Sequence, residues 1–297
     1  MSTQLRFLDP KILSKIAGME LRAKTVVEGF ISGLHRSPYR GFSSEFAEYR
    51  QYAPGDDVRF IDWKVYGRTD RYYVKSFEEE TNLHCHILLD VSASMNYRSD
   101  GLSKLEYASY LAASLGYLMF QQKDGVGLMT FDKEIRQLIP ARNKRGHLLS
   151  ILRILENIQA SHSTDFSLPL HQMAENLRKK GMVILISDLI DDPQAILAGL
   201  QHFRFQGHDV LVFHIMDDTE LTFPFKNATK FLDMEGSKQI TTIPRLIRET
   251  YLKNLNKHIE ALKKGCGQHN IEYQLLNTSK PLDFALFTFL AVRSGKG

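Results

Sequence analysis

The run Met182–Ser187, MVILIS, holds no polar side chain until its last position. A strand with that pattern has no face to give to water, so both sides must be covered, as in the middle of a parallel sheet. From about residue 83 onward, apolar runs alternate with amphipathic stretches at helical spacing. That alternation predicts an α/β fold with a mostly parallel central sheet flanked by helices. Runs at 83–90, 125–132, 135–139, 210–215 and 271–276 supply the remaining strands. The second and third of these lie so close in sequence that they should pair as a hairpin.

Ser103 and Glu106 stand at capping-box spacing and open a helix whose Leu105, Ala108, Leu111, Leu115 and Met119 line a buried face. Its charge-free stretch, 107–120, is too short to span a bilayer. Further helices are predicted over 148–158, over 168–180 with Gly181 as terminator, from Asp192-Pro193 to Gly207, over 247–264 and over 282–292. The less regular 217–244 leaves room for a second hairpin.

The first 80 residues differ in kind. A helix is expected over 12–31, then a turn at Ala53-Pro54-Gly55-Asp56 and a strand over 58–64. Such a segment has little apolar surface of its own. The expected organisation is an N-terminal appendage, 1–80, on an α/β domain over 81–297. With 43% hydrophobic residues, a chain of 297 can bury a sizeable core. Two cysteines exclude a disulfide framework and a thiolate zinc cluster. A net charge of +4 without a basic stripe argues against nucleic acid as a partner. The N-terminus has no apolar signal region, so a soluble, cytoplasmic protein without an integral membrane segment is expected.

Chemistry concentrates at Asp90-Val91-Ser92-Ala93-Ser94. Here a carboxylate and two hydroxyls alternate where a buried strand meets its loop, and ligands of parallel α/β sheets collect at strand carboxyl ends. Such oxygens suit a hard cation such as Mg²⁺. Equally, Ser92 and Ser94 could cap the following helix while Asp90 binds backbone amides. Asp188 holds the matching place after Met182–Ser187, and Thr164, followed by Asp165, lies in the loop ahead of the helix at 168. The pairs His84/His86 and Cys85 point to opposite faces of one strand and read as packing. Asp56, Asp57, Arg59, Asp62 and Trp63 of GDDVRFIDW read as a turn and strand with internal ion pairs.

The order Asp90, Ser92, Ser94, Thr164, Asp188 resembles the metal-ion-dependent adhesion site of von Willebrand factor A domains, and 83–292 resembles such a domain. More narrowly, RGFSSEFAEYRQYAPGDDVRFIDW followed by LLDVSASM resembles the bacterial family called domain of unknown function 58, in its soluble, MoxR-associated branch. The resemblance implies Mg²⁺, with Mn²⁺ or Ca²⁺ as substitutes, held directly by Ser92 and Ser94. Thr164 would bind directly or through water, and Asp90 and Asp188 would orient the water shell. An acidic side chain of a partner would complete the coordination. It further implies a non-enzymatic adaptor, chaperone-like, working with a MoxR-type AAA ATPase on client proteins.

Two positions depart from the pattern. His162-Ser163 precedes Thr164 where glycines are usual, which leaves Asp165 as a possible substitute ligand. Leu189 follows Asp188 where glycine is usual, which should restrict the loop because leucine takes a positive φ only at a cost. Phosphate-loop, dinucleotide, nucleophile-elbow and zincin motifs are all missing, so any ATP hydrolysis must come from another chain. Two rival readings follow from the same residues. One is a Mg²⁺-dependent phosphoester hydrolase with His162 as base; the other is a metal-independent scaffold that docks through its first 80 residues.

Overall fold

The computed structural model describes residues 83–160, 167–177, 179–234 and 239–294, with short pieces ahead of them at 19, 23–24, 26–27, 49–51, 67 and 73–75. Strands β1 (Tyr49–Gln51) and β2 (Tyr73–Lys75) pair antiparallel. The main unit then runs β3 (His84–Asp90), a 3-10 turn (Ala93–Asn96), α1 (Lys104–Gln121), β4 (Gly125–Phe131), β5 (Ile135–Arg142) and α2 (Arg145–Asn157). It continues through α3 (Ser167–Asn176), β6 (Met182–Ser187), α4 (Pro193–Phe205), β7 (Asp209–Met216) and α5 (Asp218–Thr222). A β8–β9 hairpin (Thr229–Leu232, Gln239–Thr242), α6 (Pro244–Gln268), β10 (Glu272–Asn277) and α7 (Asp283–Ser294) complete it.

Six strands form one sheet in the order β10-β7-β6-β3-β4-β5, all parallel except β5, which runs against β4 as the hairpin required. From β3 the chain steps to β4 and β5, then returns to the other side of β3 for β6. The carboxyl ends of β3 and β6 therefore flank the point where the winding reverses, the usual place for a ligand crevice. Successive residues of the inner strands feed opposite faces. Ile87, Leu89, Ile184 and Ile186 pack with α1 and α7, whereas Leu88, Val183 and Leu185 pack with α3, α4 and α6. The helical residues Met19, Ala23, Val26 and Val27 are buried in the first of these layers.

Helix α1 begins as its sequence prescribes. The Glu106 N–H donates to Ser103 Oγ at 3.1 Å, and the Ser103 N–H donates to Glu106 Oε2 at 2.8 Å. Asp192 caps α4, with Pro193 at the first helical position. Helix α4 stops at Phe205, and Gly207 follows with φ of 85°. Helix α3 corrects the expectation for 168–180, because it stops at Asn176. Gly181 has a different task. A Cβ there would collide with the His84 carbonyl, so only glycine lets the start of β6 approach β3.

Candidate metal centre

Asp90 ends β3 fully buried, so its carboxylate has to be satisfied from within the protein. The Ser92 N–H donates to Oδ1 at 2.9 Å, and Ser187 Oγ donates to Oδ2 at 2.6 Å. Ser187 Oγ in turn accepts the Leu189 N–H at 2.9 Å, so one hydroxyl ties together the two strand ends at the switch point. Ser92 stands at the N-cap of the 3-10 turn but makes no side-chain capping bond. Its Oγ lies 3.1 Å from Ser94 Oγ instead. Of the capping alternative, only the amide contact to Asp90 is realised.

Asp188 follows β6 and is equally buried. Its Oδ2 accepts from Lys104 Nζ at 2.7 Å, while Oδ1 has no hydrogen-bond partner among the described residues. Lys104, the first residue of α1, is itself buried and donates a second bond to Glu220 Oε1 at 2.9 Å. Glu220 Oε2 accepts the Asp217 N–H at 2.8 Å in the capping box of α5. Asp217 accepts the Ser99 hydroxyl at 2.6 Å, which fastens the loop after the 3-10 turn to the same helix.

Burial, and then the nearby charge of Asp188, push the Asp90 carboxyl up to about 7, against the pull of its bonds from Ser187 and Ser92. Burial alone would depress the Lys104 ammonium, but Asp188 and Glu220 more than reverse this and hold it above its ordinary range. His214 lies beside Asp188 on β7 with Nδ1 at 2.6 Å from the Tyr273 hydroxyl. Burial lowers it to about 3, against the opposing charge of Asp188, so it stays neutral.

Leu189 adopts the conformation expected to be costly for it. It takes φ of 50° while its side chain is fully buried in the α3–α4 layer. The left-handed conformation costs about 1–2 kcal/mol for a residue with a Cβ. Its N–H bond to Ser187 and the 2.9 Å contact between its carbonyl and His258 Nε2 hold it there.

Of the five residues expected from sequence, Asp90, Ser92, Ser94 and Asp188 meet at one sheet edge. Thr164 lies outside the described residues, as do Asp165, His162 and the GDDVRFIDW segment. Among the described residues no three His, Cys, Asp or Glu side chains cluster as metal ligands. A site here would therefore depend on hydroxyls, a donor class suited to hard cations. His86 and both cysteines are buried, and burial pushes the Cys266 thiol up to about 12. Sequence reasoning missed Lys104, Ser187 and Glu220. The available signal was Lys104 itself, a cation at the first turn of a helix, where the dipole disfavours one.

A six-stranded, mostly parallel sheet with one antiparallel edge strand, its acidic edge at the winding reversal, makes this an α/β protein of the von Willebrand factor A-like class. The chain belongs to the family described as protein of unknown function DUF58, whose sequence pattern matches residues 48–261. It is 26% identical over 266 residues to the uncharacterized protein Rv1480 of Mycobacterium tuberculosis, covering 87% of this chain and 83% of that one. The uncharacterized protein YeaD of Bacillus subtilis is also 26% identical, over 156 residues that cover 50% of this chain and 36% of that one. Among solved structures, the conserved hypothetical protein BatB from Bacteroides thetaiotaomicron superposes with a TM-score of 0.52 at 18% identity. That superposition covers 72% of this chain and 98% of BatB, and it speaks to fold alone. A looser likeness, TM-score 0.40 at 15% identity, is to the SpRpn10 VWA domain, over 71% of this chain and 96% of that one. Among the described residues no helix is long and apolar enough to cross a membrane.

Proposed function

We propose that this protein is a non-enzymatic interaction module whose binding edge carries a divalent cation, Mg²⁺ by preference, and captures an acidic side chain of a partner protein. Ser92, Ser94 and Thr164 would hold the ion, while Asp90 and Asp188 orient its shell. The ion supplies a focused positive charge that a partner carboxylate can complete. The observation that carries this reading is Asp188 Oδ1, a buried carboxylate oxygen without a hydrogen-bond partner among the described residues, at the same edge as the facing Ser92 and Ser94 hydroxyls. A buried acceptor of that kind costs about 1–3 kcal/mol unless something meets it.

What the protein's own residues do is hold that arrangement ready. Ser187 locks Asp90 toward the β6 end, and the α5 network keeps the 3-10 loop from moving away. Ile190, two residues beyond Asp188, is 55% exposed and offers an apolar contact beside the charge. In this reading the partner is a MoxR-type AAA ATPase, or a client presented to it, and the pair acts in the cytoplasm in chaperone-like assembly.

The test is to capture a purified MoxR-type ATPase from the same genome on immobilised protein, in Mg²⁺ or in EDTA, with Ser92→Ala alongside. Retention by wild type in Mg²⁺ alone is expected. Equal retention in all lanes overturns the metal bridge and favours docking through the first 80 residues.

A further inference from the structure

Lys104 has no local reason to be where it is. Burying an ammonium costs several kcal/mol. The first turn of a helix, with its free N–H groups, adds to that cost. Yet the Lys104 side chain is 1% exposed and bridges Asp188, from the end of β6, to Glu220 of α5. These residues are 84 and 116 positions away in sequence, so neither contact is a by-product of helix formation.

Charge counting around this lysine shows an imbalance. Asp90, Asp188 and Glu220 together bring three carboxylates to the edge, and Lys104 is the cation that bonds two of them. Among the described residues, these four side chains sum to two negative charges when every carboxylate is ionised, the charge that one divalent ion would balance. Among the described residues Lys104 also leaves Asp188 half satisfied, with Oδ2 bonded and Oδ1 without a partner. An ammonium and a divalent ion sharing one carboxylate repel each other, and in a site this dry the repulsion is weakly screened. Glu220 offers the ammonium a second resting place, itself anchored to the cap of α5.

We propose that Lys104 is a tethered counter-cation that competes with the divalent ion for Asp188, so that metal binding moves the ammonium from Asp188 toward Glu220 and reports site occupancy to α5. This rests on the metal reading given above. It makes Lys104 a positioning residue that weakens the site's grip, and Glu220 the residue that eases its release.

The proposal fixes opposite signs for two substitutions. In calorimetric titration of the full chain with Mn²⁺, Lys104→Met should bind about tenfold or more tightly, equal to about 1.4 kcal/mol. Glu220→Gln should bind more weakly than wild type, because the ammonium is then left to Asp188 alone. A purely structural lysine would give the reverse for Lys104→Met, since a loosened site loses affinity. Unchanged or weaker binding by Lys104→Met, with wild type still binding and Ser92→Ala not, overturns the competition and leaves the metal reading standing. Absence of Mn²⁺ binding by wild type and Lys104→Met alike overturns the metal reading and the competition with it. If Lys104→Met does not fold, Glu220→Gln decides, since equal or tighter binding there overturns the competition.

Discussion

The two ends of the same sheet differ in the polar groups they bury. At the amino end, His86 is 6% exposed with Nδ1 unpartnered among the described residues, and burial, then His208 and His84, push it down to about 4. That end is tightly packed. A Cβ on Gly127, the strand partner of His86, would sit 2.9 Å from Ala141 N and 3.0 Å from His86 Nδ1. At the carboxyl end the buried groups include the ionisable Asp90, Asp188 and Lys104, beside neutral His214. The difference follows from the winding. Helices α4 and α5 start within a few residues of a strand's end and α1 follows β3 after the 3-10 turn, so their N–H groups and dipoles gather at the carboxyl end and favour carboxylates there. The amino end has no such field, although Asp124, directly ahead of β4, is also fully buried there.

The largest expected effect breaks the ion network. Lys104→Ala leaves Asp188 buried and unpaired, which should cost about 3–5 kcal/mol of metal-free stability. Urea unfolding at pH 7.5 in EDTA measures it. A loss below about 1 kcal/mol, the level of a surface pair, would mean that the carboxyl end behaves as solvated surface and that the contrast between the ends is false.

Acid and base should separate the ends by sign. His86 binds its proton at about 4 when folded and near 6.5 when unfolded, so its contribution is lost as pH falls through that window. Asp90 binds its proton at about 7 when folded against 3.8 unfolded, so its contribution is present in acid and lost as pH rises toward 7. In metal-free protein the two slopes oppose each other between pH 4 and 6.5. His86→Leu should make stability fall more steeply with rising pH, and Asp90→Asn should make it rise, each by up to about 3–4 kcal/mol across the window. Urea midpoints at several pH values read both. Slopes that shift the same way in the two variants would contradict the opposed assignment.

The parts of this molecule visible in its sequence are those whose causes lie close together in the chain. The capping box of Ser103 and Glu106, the wholly apolar Met182–Ser187 and the Asp192-Pro193 start of α4 each depend on neighbours within a turn. Asp90, Ser92, Ser94 and Asp188 fall at one edge because a parallel sheet puts all its strand ends there. Gly181 misled, since the same residue type ends helices and permits close strand approach, and only the position of His84 distinguishes the two roles. The Lys104 network was invisible because its three members come from distant parts of the chain and no local pattern joins them.

Leu189 gives the smallest and most local test of how the carboxyl edge is held. Its φ of 50° belongs to glycine by preference, yet its side chain is fully buried beside α3 and α4. Packing therefore opposes backbone preference at one residue, and two substitutions separate them. Leu189→Ala and Leu189→Gly lose nearly the same apolar contact, but only glycine relieves the left-handed strain. In a helix glycine is worse than alanine by about 1 kcal/mol. Here the order should invert, with the glycine variant more stable than the alanine variant by about 1 kcal/mol. Thermal unfolding of the pair decides it. Alanine equal to or better than glycine would mean that the loop relaxes out of the left-handed region once the side chain is gone. The bonds of Leu189 to Ser187 and His258 would then not be what holds the Asp188 loop in place.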